Sequence, residues 1–202
     1  MDIIKYNKQL QKLFDFDDIT YKIVSGKYKI AEKNGKGKEY ILNTNTLIFE
    51  GEYLNGKRNG KGKEYDIHSR LLFEGEYLNG KRNGKGKEYH YNGKLLFEGE
   101  YLNGKRNGKG KVYYSDGRLF FEGTYLNGKS WNGIEKGYDY EVERINGEVI
   151  GKGKEFYEDG KLLFEGEYMN GFRWNGKEYD KNGNIEYEIK NGKGNGIQYF
   201  NN

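Results

Sequence analysis

The sequence predicts an all-β fold: an elongated single-layer antiparallel meander of about eight β-hairpin repeats, with a short N-terminal capping helix. Three observations predict it. A near-identical segment recurs every 24 residues, apolar and charged residues alternate inside it, and Asn-Gly pairs punctuate it.

The repeat comes first, because a fixed period decides the architecture. The string FEGEYLNGKRNGKGK begins at Phe49, Phe73 and Phe97, and FEGTYLNGK begins at Phe121. FEGEYMNG returns at Phe164, 43 residues later, which leaves room for one degenerate unit. In that unit Gly151, Gly153 and Phe156 stand for Gly84, Gly86 and Tyr89. Upstream, Gly26 to Tyr40 forms a first unit with its turn rewritten as Ile30-Ala31-Glu32-Lys33. Ile185 to Tyr199 is a shortened last unit. The outer units are atypical, as capping repeats are in a stacked array. The chain therefore divides into an N-terminal capping segment, 1–20, and a repeat array, 21–202.

Within one unit, Phe73-Glu74-Gly75-Glu76-Tyr77 alternates apolar or small residues with carboxylates, the period of a strand with unlike faces. Asn79-Gly80 supplies the positive φ of a hairpin turn. A second strand is expected through Lys87-Glu88-Tyr89-His90-Tyr91, and Asn92-Gly93 turns into the next unit. Frequent glycine and the lack of a 3.6-residue apolar period exclude helices here. At about 4.8 Å per strand the array spans roughly 75 Å. Its stability is expected from stacked rings. One ladder is Tyr28, Tyr53, Tyr77, Tyr101, Tyr125 and Tyr168; the second is Tyr40, Tyr65, Tyr89, Tyr113, Phe156 and Tyr179. The recurring glycines leave room for rings over the backbone.

At the N-terminus, Ile3, Tyr6, Leu10 and Leu13 fall at helical spacing behind Asp2 as N-cap, a capping helix. The competing reading, an in-plane membrane anchor, has little charge bias behind it.

Composition bounds the function. Charged residues are 33% of the chain and the formal charge is only +4. That excess is too small for a dedicated nucleic-acid binder, so no nucleic-acid partner is expected. The 20 tyrosines add apolar area that the aliphatic count misses. With no cysteine there is no disulfide and no thiolate chemistry. No apolar run approaches the length of a membrane span or a secretory signal core. The expected location is cytoplasmic, with membrane association left open.

The pattern Gly75-x-Tyr77-x-x-Gly80-Lys81-x-Asn83-Gly84-x-Gly86 resembles the MORN repeat (membrane occupation and recognition nexus). The likeness is close in units 2 to 5 and looser elsewhere over 21–202. It departs in a period one residue longer and in tyrosine where tryptophan is frequent. The resemblance implies an open twisted single-layer sheet and roles in scaffolding, dimerisation or membrane-proximal assembly. It also implies phosphoinositide binding in some members. No catalytic domain is expected beside the repeats.

Other motifs carry little chemistry. Gly80-Lys81-Arg82-Asn83-Gly84-Lys85-Gly86 lacks the spacing and the helix of a phosphate-binding loop. His68 and His90 are the only histidines and have no clustered ligands. No catalytic residue, metal site or cofactor is expected. Glutamates such as Glu74, Glu76, Glu98 and Glu100 read as solvated partners of neighbouring lysines. Partner-binding candidates are the tyrosines of the first ladder (Tyr53, Tyr77, Tyr101, Tyr125, Tyr168) and Ile197 and Tyr199 on an open C-terminal edge strand. Lipid-binding candidates are the repeated bases Lys57, Arg58, Lys61, Lys81, Arg82, Lys85, Lys105, Arg106 and Lys109, stacked as a basic rim. The alternative is that turns simply gather solvated charge. The expected function is a non-catalytic scaffold that binds a protein partner or itself, or else an adaptor for anionic phosphoinositide headgroups.

Overall fold

The computed structural model describes residues 19–24 and 26–193. It contains one open sheet of sixteen strands whose spatial order is the chain order. The strands are β1 (Ile19–Val24), β2 (Lys27–Glu32), β3 (Gly35–Ile41), β4 (Leu47–Leu54), β5 (Lys57–Tyr65), β6 (Leu71–Leu78), β7 (Lys81–Tyr89) and β8 (Leu95–Leu102). They continue as β9 (Lys105–Tyr113), β10 (Leu119–Leu126), β11 (Lys129–Lys136), β12 (Tyr140–Ile145), β13 (Glu148–Phe156), β14 (Leu162–Met169), β15 (Phe172–Tyr179) and β16 (Ile185–Ile189). The chain forms two compact units: the first runs to residue 95 with 101–105, the second holds 96–100 and runs on from 106.

Two kinds of turn alternate. Asn79 and Gly80 join β6 to β7 with φ of 51° and 87°. Both residues are left-handed, as the twist-matched two-residue hairpin turn requires. The return connection is longer. Between β7 and β8 the Gly93 N–H donates to the His90 carbonyl and the His90 N–H to the Lys94 carbonyl, each at 2.8 Å. His90 and Tyr91 therefore belong to a turn, and not to the second strand as the sequence suggests.

The core of each regular hairpin is a ring laid across two glycines, whereas Val142 and Ala31 take a glycine's place in β12–β13 and β2–β3. Gly75 pairs with Gly86 across β6 and β7. A Cβ at Gly86 would stand 2.6 Å from the Phe73 ring, so only glycine leaves the ring space. Phe73 is fully buried. It meets Tyr77 edge-on at 5.6 Å and Tyr101 at 5.3 Å. Burying a phenylalanine contributes about 2–3 kcal/mol, and each edge-to-face contact about 1 kcal/mol more. Phe49 repeats this with Tyr53 and Tyr77, and Phe164 with Tyr168.

The segment Asn83-Gly84-Lys85 is a bulge, not a loop. Tyr77 pairs with Arg82 and Gly75 with Gly86, so three residues of β7 face Glu76 alone. The Glu76 carboxylate fills the bulge and accepts the Lys85 N–H at 3.0 Å. Gly84, at φ 94°, would place a Cβ 1.9 Å from that carboxylate. The same device recurs at Glu52 with Lys61, Glu100 with Lys109 and Glu143 with Lys152.

Other expectations shift. Ile30-Ala31-Glu32 is strand and not turn, because β2 runs on to Glu32 and Ala31 pairs with Gly37. β1, inside and beyond the expected capping segment, pairs antiparallel with β2. The expected helix at Ile3–Phe14 lies outside the described residues.

Candidate interaction surface

Strand alternation gives the sheet two chemically different faces. On the first, Phe73, Gly75, Tyr77, Arg82, Gly86 and Glu88 lie together through their cross-strand pairing. In the first unit this face carries a continuous charge ladder over the rings. Arg58 donates to Glu39 through Nε and Nη2 at 3.0 and 2.7 Å, and to Glu64 through Nη1 at 3.1 Å. Arg82 repeats the pattern, donating to Glu64 at 2.5 Å and to Glu88 at 3.2 Å. The ladder tyrosines add their hydroxyls: Tyr53 donates to Glu39 at 2.8 Å, Tyr77 to Glu64 and Tyr101 to Glu88 at 2.7 Å each. The guanidinium carbons of Arg58 and Arg82 stand 3.9 and 4.0 Å above the Phe49 and Phe73 ring centres. Each arginine thus joins consecutive hairpins through two carboxylates and one ring.

The electrostatics follow. Burial raises the Glu39 and Glu64 carboxyls, but hydrogen bonds and charge from Arg58 and Arg82 outweigh it and hold both below the ordinary carboxylate range. Burial, with the facing carboxylates, pushes the Tyr53 and Tyr77 hydroxyls far above their usual value.

The second unit varies the ladder. Val112 and Ser130 occupy positions where Glu88 and Arg82 stand in the repeat. In the degenerate hairpin the arginine changes strands. Arg144 sits where Tyr77 sits, opposite Val149, and bonds Glu135. Arg173 restores the usual form, donating to Glu155 at 2.5 Å and to Glu178 at 2.8 Å.

This geometry corrects two expectations. Tyr53, Tyr77, Tyr101, Tyr125 and Tyr168 are 3–6% exposed. They are core, not a contact surface. Arg58 and Arg82 bond inward to Glu39, Glu64 and Glu88, and Arg106 lies 4.2 Å over the Phe97 ring. The arginines therefore leave the basic rim, because strand parity puts them on the ring-bearing face. Ile197 and Tyr199 lie outside the described residues.

The opposite face carries exposed charge. Lys57, Lys61, Lys81, Lys85, Lys105 and Lys109 are all exposed, and none is ion-paired among the described residues. The inner lysines are spent instead on cross-strand pairs: Lys38 with Glu50 at 3.5 Å, Lys63 with Glu74 at 3.8 Å and Lys111 with Glu122 at 2.9 Å. The second tyrosine ladder joins these rows. The Tyr65 hydroxyl donates to Glu50 at 2.8 Å and is pushed up to about 12 by burial and by that carboxylate.

One surface feature escaped the sequence reading. Leu54, Leu78 and Leu102 precede the Asn-Gly turns of the first unit and are 48–51% exposed. Leu126, Ile145 and Met169 are their equivalents in the second unit and are also exposed. Leu54 pairs with Lys57, and Leu78 with Lys81. The signal was present, since each leucine directly follows a core tyrosine and so faces the other way.

Among the described residues no helix is long and apolar enough to cross a membrane. Comparison with curated proteins found no match. The MORN repeat family matches residues 49–66, 73–94 and 97–117. Each matched stretch covers most of one hairpin, β4–β5, β6–β7 or β8–β9, and contains the ring, glycine and bulge positions described above. In these three hairpins the chain carries MORN repeats.

Proposed function

We propose that the chain is a non-catalytic interaction scaffold whose contact surface is the lysine face, with Leu54, Leu78 and Leu102 as apolar anchors. One observation carries this reading: half-exposed leucines repeat in register beside unpaired lysines, while the other face is filled by its own rings and ion pairs. Exposed apolar side chains that alternate in register with charged ones offer a partner a repeated pairing of apolar and ionic contacts. Quantitative cross-linking in cell extract tests it. Wild-type chain captures a defined set of proteins, and L54D/L78D/L102D loses that set while its circular dichroism and melting stay unchanged. An unchanged set would reject this surface.

The six unpaired lysines favour a second reading, contact with anionic lipid headgroups. Here K57E/K81E/K105E abolishes binding to phosphoinositide vesicles at low salt. Wild-type chain that ignores such vesicles rules this reading out.

A further inference from the structure

Resting on the scaffold reading, we infer that the leucine row of the first unit takes an acidic amphipathic α-helix of a partner protein, with one apolar residue per heptad. The row crosses the strands, and equivalent leucines lie on every second strand. Two strand spacings make about 9.6 Å. Seven residues of an α-helix rise about 10.5 Å. The mismatch over Leu54, Leu78 and Leu102 is about 2 Å, within the reach of leucine side chains.

Other linear occupants fit less well. In a β-strand, residues about 10 Å apart are three positions apart and point to opposite faces. Polyproline helices dock in grooves lined by aromatics, and this row is aliphatic.

Charge sets the helix chemistry. Lys57 and Lys81 stand opposite Leu54 and Leu78 in register, and Lys105 occupies the same position beside Leu102. All three are exposed and none is ion-paired among the described residues. Glutamates flanking the heptad leucines meet these ammonium groups, as flanking charges select partners in coiled coils.

Fluorescence anisotropy on the full chain tests this with synthetic peptides about three heptads long. One carries leucine every seventh residue flanked by glutamate. A second has the same composition with the leucine spacing scrambled, and a third has lysine flanks. The acidic heptad peptide binds at least about tenfold tighter than either control. L54D/L78D/L102D loses that binding, and K57E/K81E/K105E transfers the preference to the lysine-flanked peptide. Equal binding of the scrambled peptide overturns the inference. So does binding to phosphatidylserine vesicles, lost in the same variants, with the peptide ignored. If protein capture depends on the leucines but the heptad peptide does not bind, the helix is wrong and the scaffold stands. If capture is also independent of the leucines, both fall.

Discussion

Arg82 lies over Phe73, its guanidinium carbon 4.0 Å from the ring centre, while its nitrogens reach Glu64 on the preceding hairpin and Glu88 on its own strand. A long cation here roofs an aromatic core and ties one repeat to the next. In a stacked array, stability resides in such neighbour contacts. R82A removes the roof and leaves Glu64 with less compensation, so it destabilises by about 2–4 kcal/mol. K81A, one residue away on the other face, changes stability by less than about 0.5 kcal/mol. Urea unfolding of the two variants makes the comparison. Equal losses would reject the division of faces.

G86A forces a methyl into the space of the Phe73 ring, 2.6 Å away. Overpacking of this kind costs about 1–3 kcal/mol. F73L alone opens a void, but in the double variant G86A/F73L the methyl occupies part of it. The double variant therefore loses less than the sum of the single losses, by about 1 kcal/mol. Strict additivity would place the clash elsewhere.

The ladder predicts a defined acid limit. Folded Glu39 and Glu64 lie below the ordinary carboxylate value of 4.5. Below that value the unfolded chain binds more protons than the folded chain, so stability falls as pH drops through the folded values. Above about pH 6 this contribution is fully present. At the alkaline end the order reverses for Tyr53 and Tyr77, whose folded values are raised above 10.0. The unfolded chain there loses protons first, and stability falls as pH rises past 10. Melting temperature against pH shows both limbs, and E64Q makes the acid limb shallower.

Glu76 fills the bulge of β7 by accepting the Lys85 N–H. E76A leaves that amide to water and costs about 1 kcal/mol. Glu74, two residues earlier, makes a cross-strand pair with Lys63 at 3.8 Å and is partly solvated. E74K costs more than E74Q because it opposes like charges across the strands. Amide exchange at Lys85 distinguishes the two sites: E76A accelerates it and E74Q does not.

Much of the hairpin array was legible in the sequence. The 24-residue period, the Asn-Gly turns and the ring and glycine positions follow from local chemistry. Asn79-Gly80 has few alternatives to a left-handed turn, and Phe73, Gly75 and Tyr77 share a face by alternation alone. Leu78, next to Tyr77, faces the other way by the same rule.

The role of the arginines was not legible. Gly80 to Gly86 reads locally as a glycine-rich loop, which puts Arg82 in solvent. The strand in fact starts at Lys81 and absorbs the excess residues in a bulge facing Glu76. In β15, counting alternate residues from Arg173 puts Gly176 and Glu178 on the opposite face. Trp174 is an extra residue between Arg173 and Asn175, and it brings all three to one face. Sequence therefore determined the repeat, its turns and its aromatic core, because those depend on residues a few positions apart. Only the tertiary structure decided which bases are core and which are surface. That choice depends on register across a bulge and on a carboxylate such as Glu64, which lies 18 residues from Arg82 and meets it only when the hairpins pair.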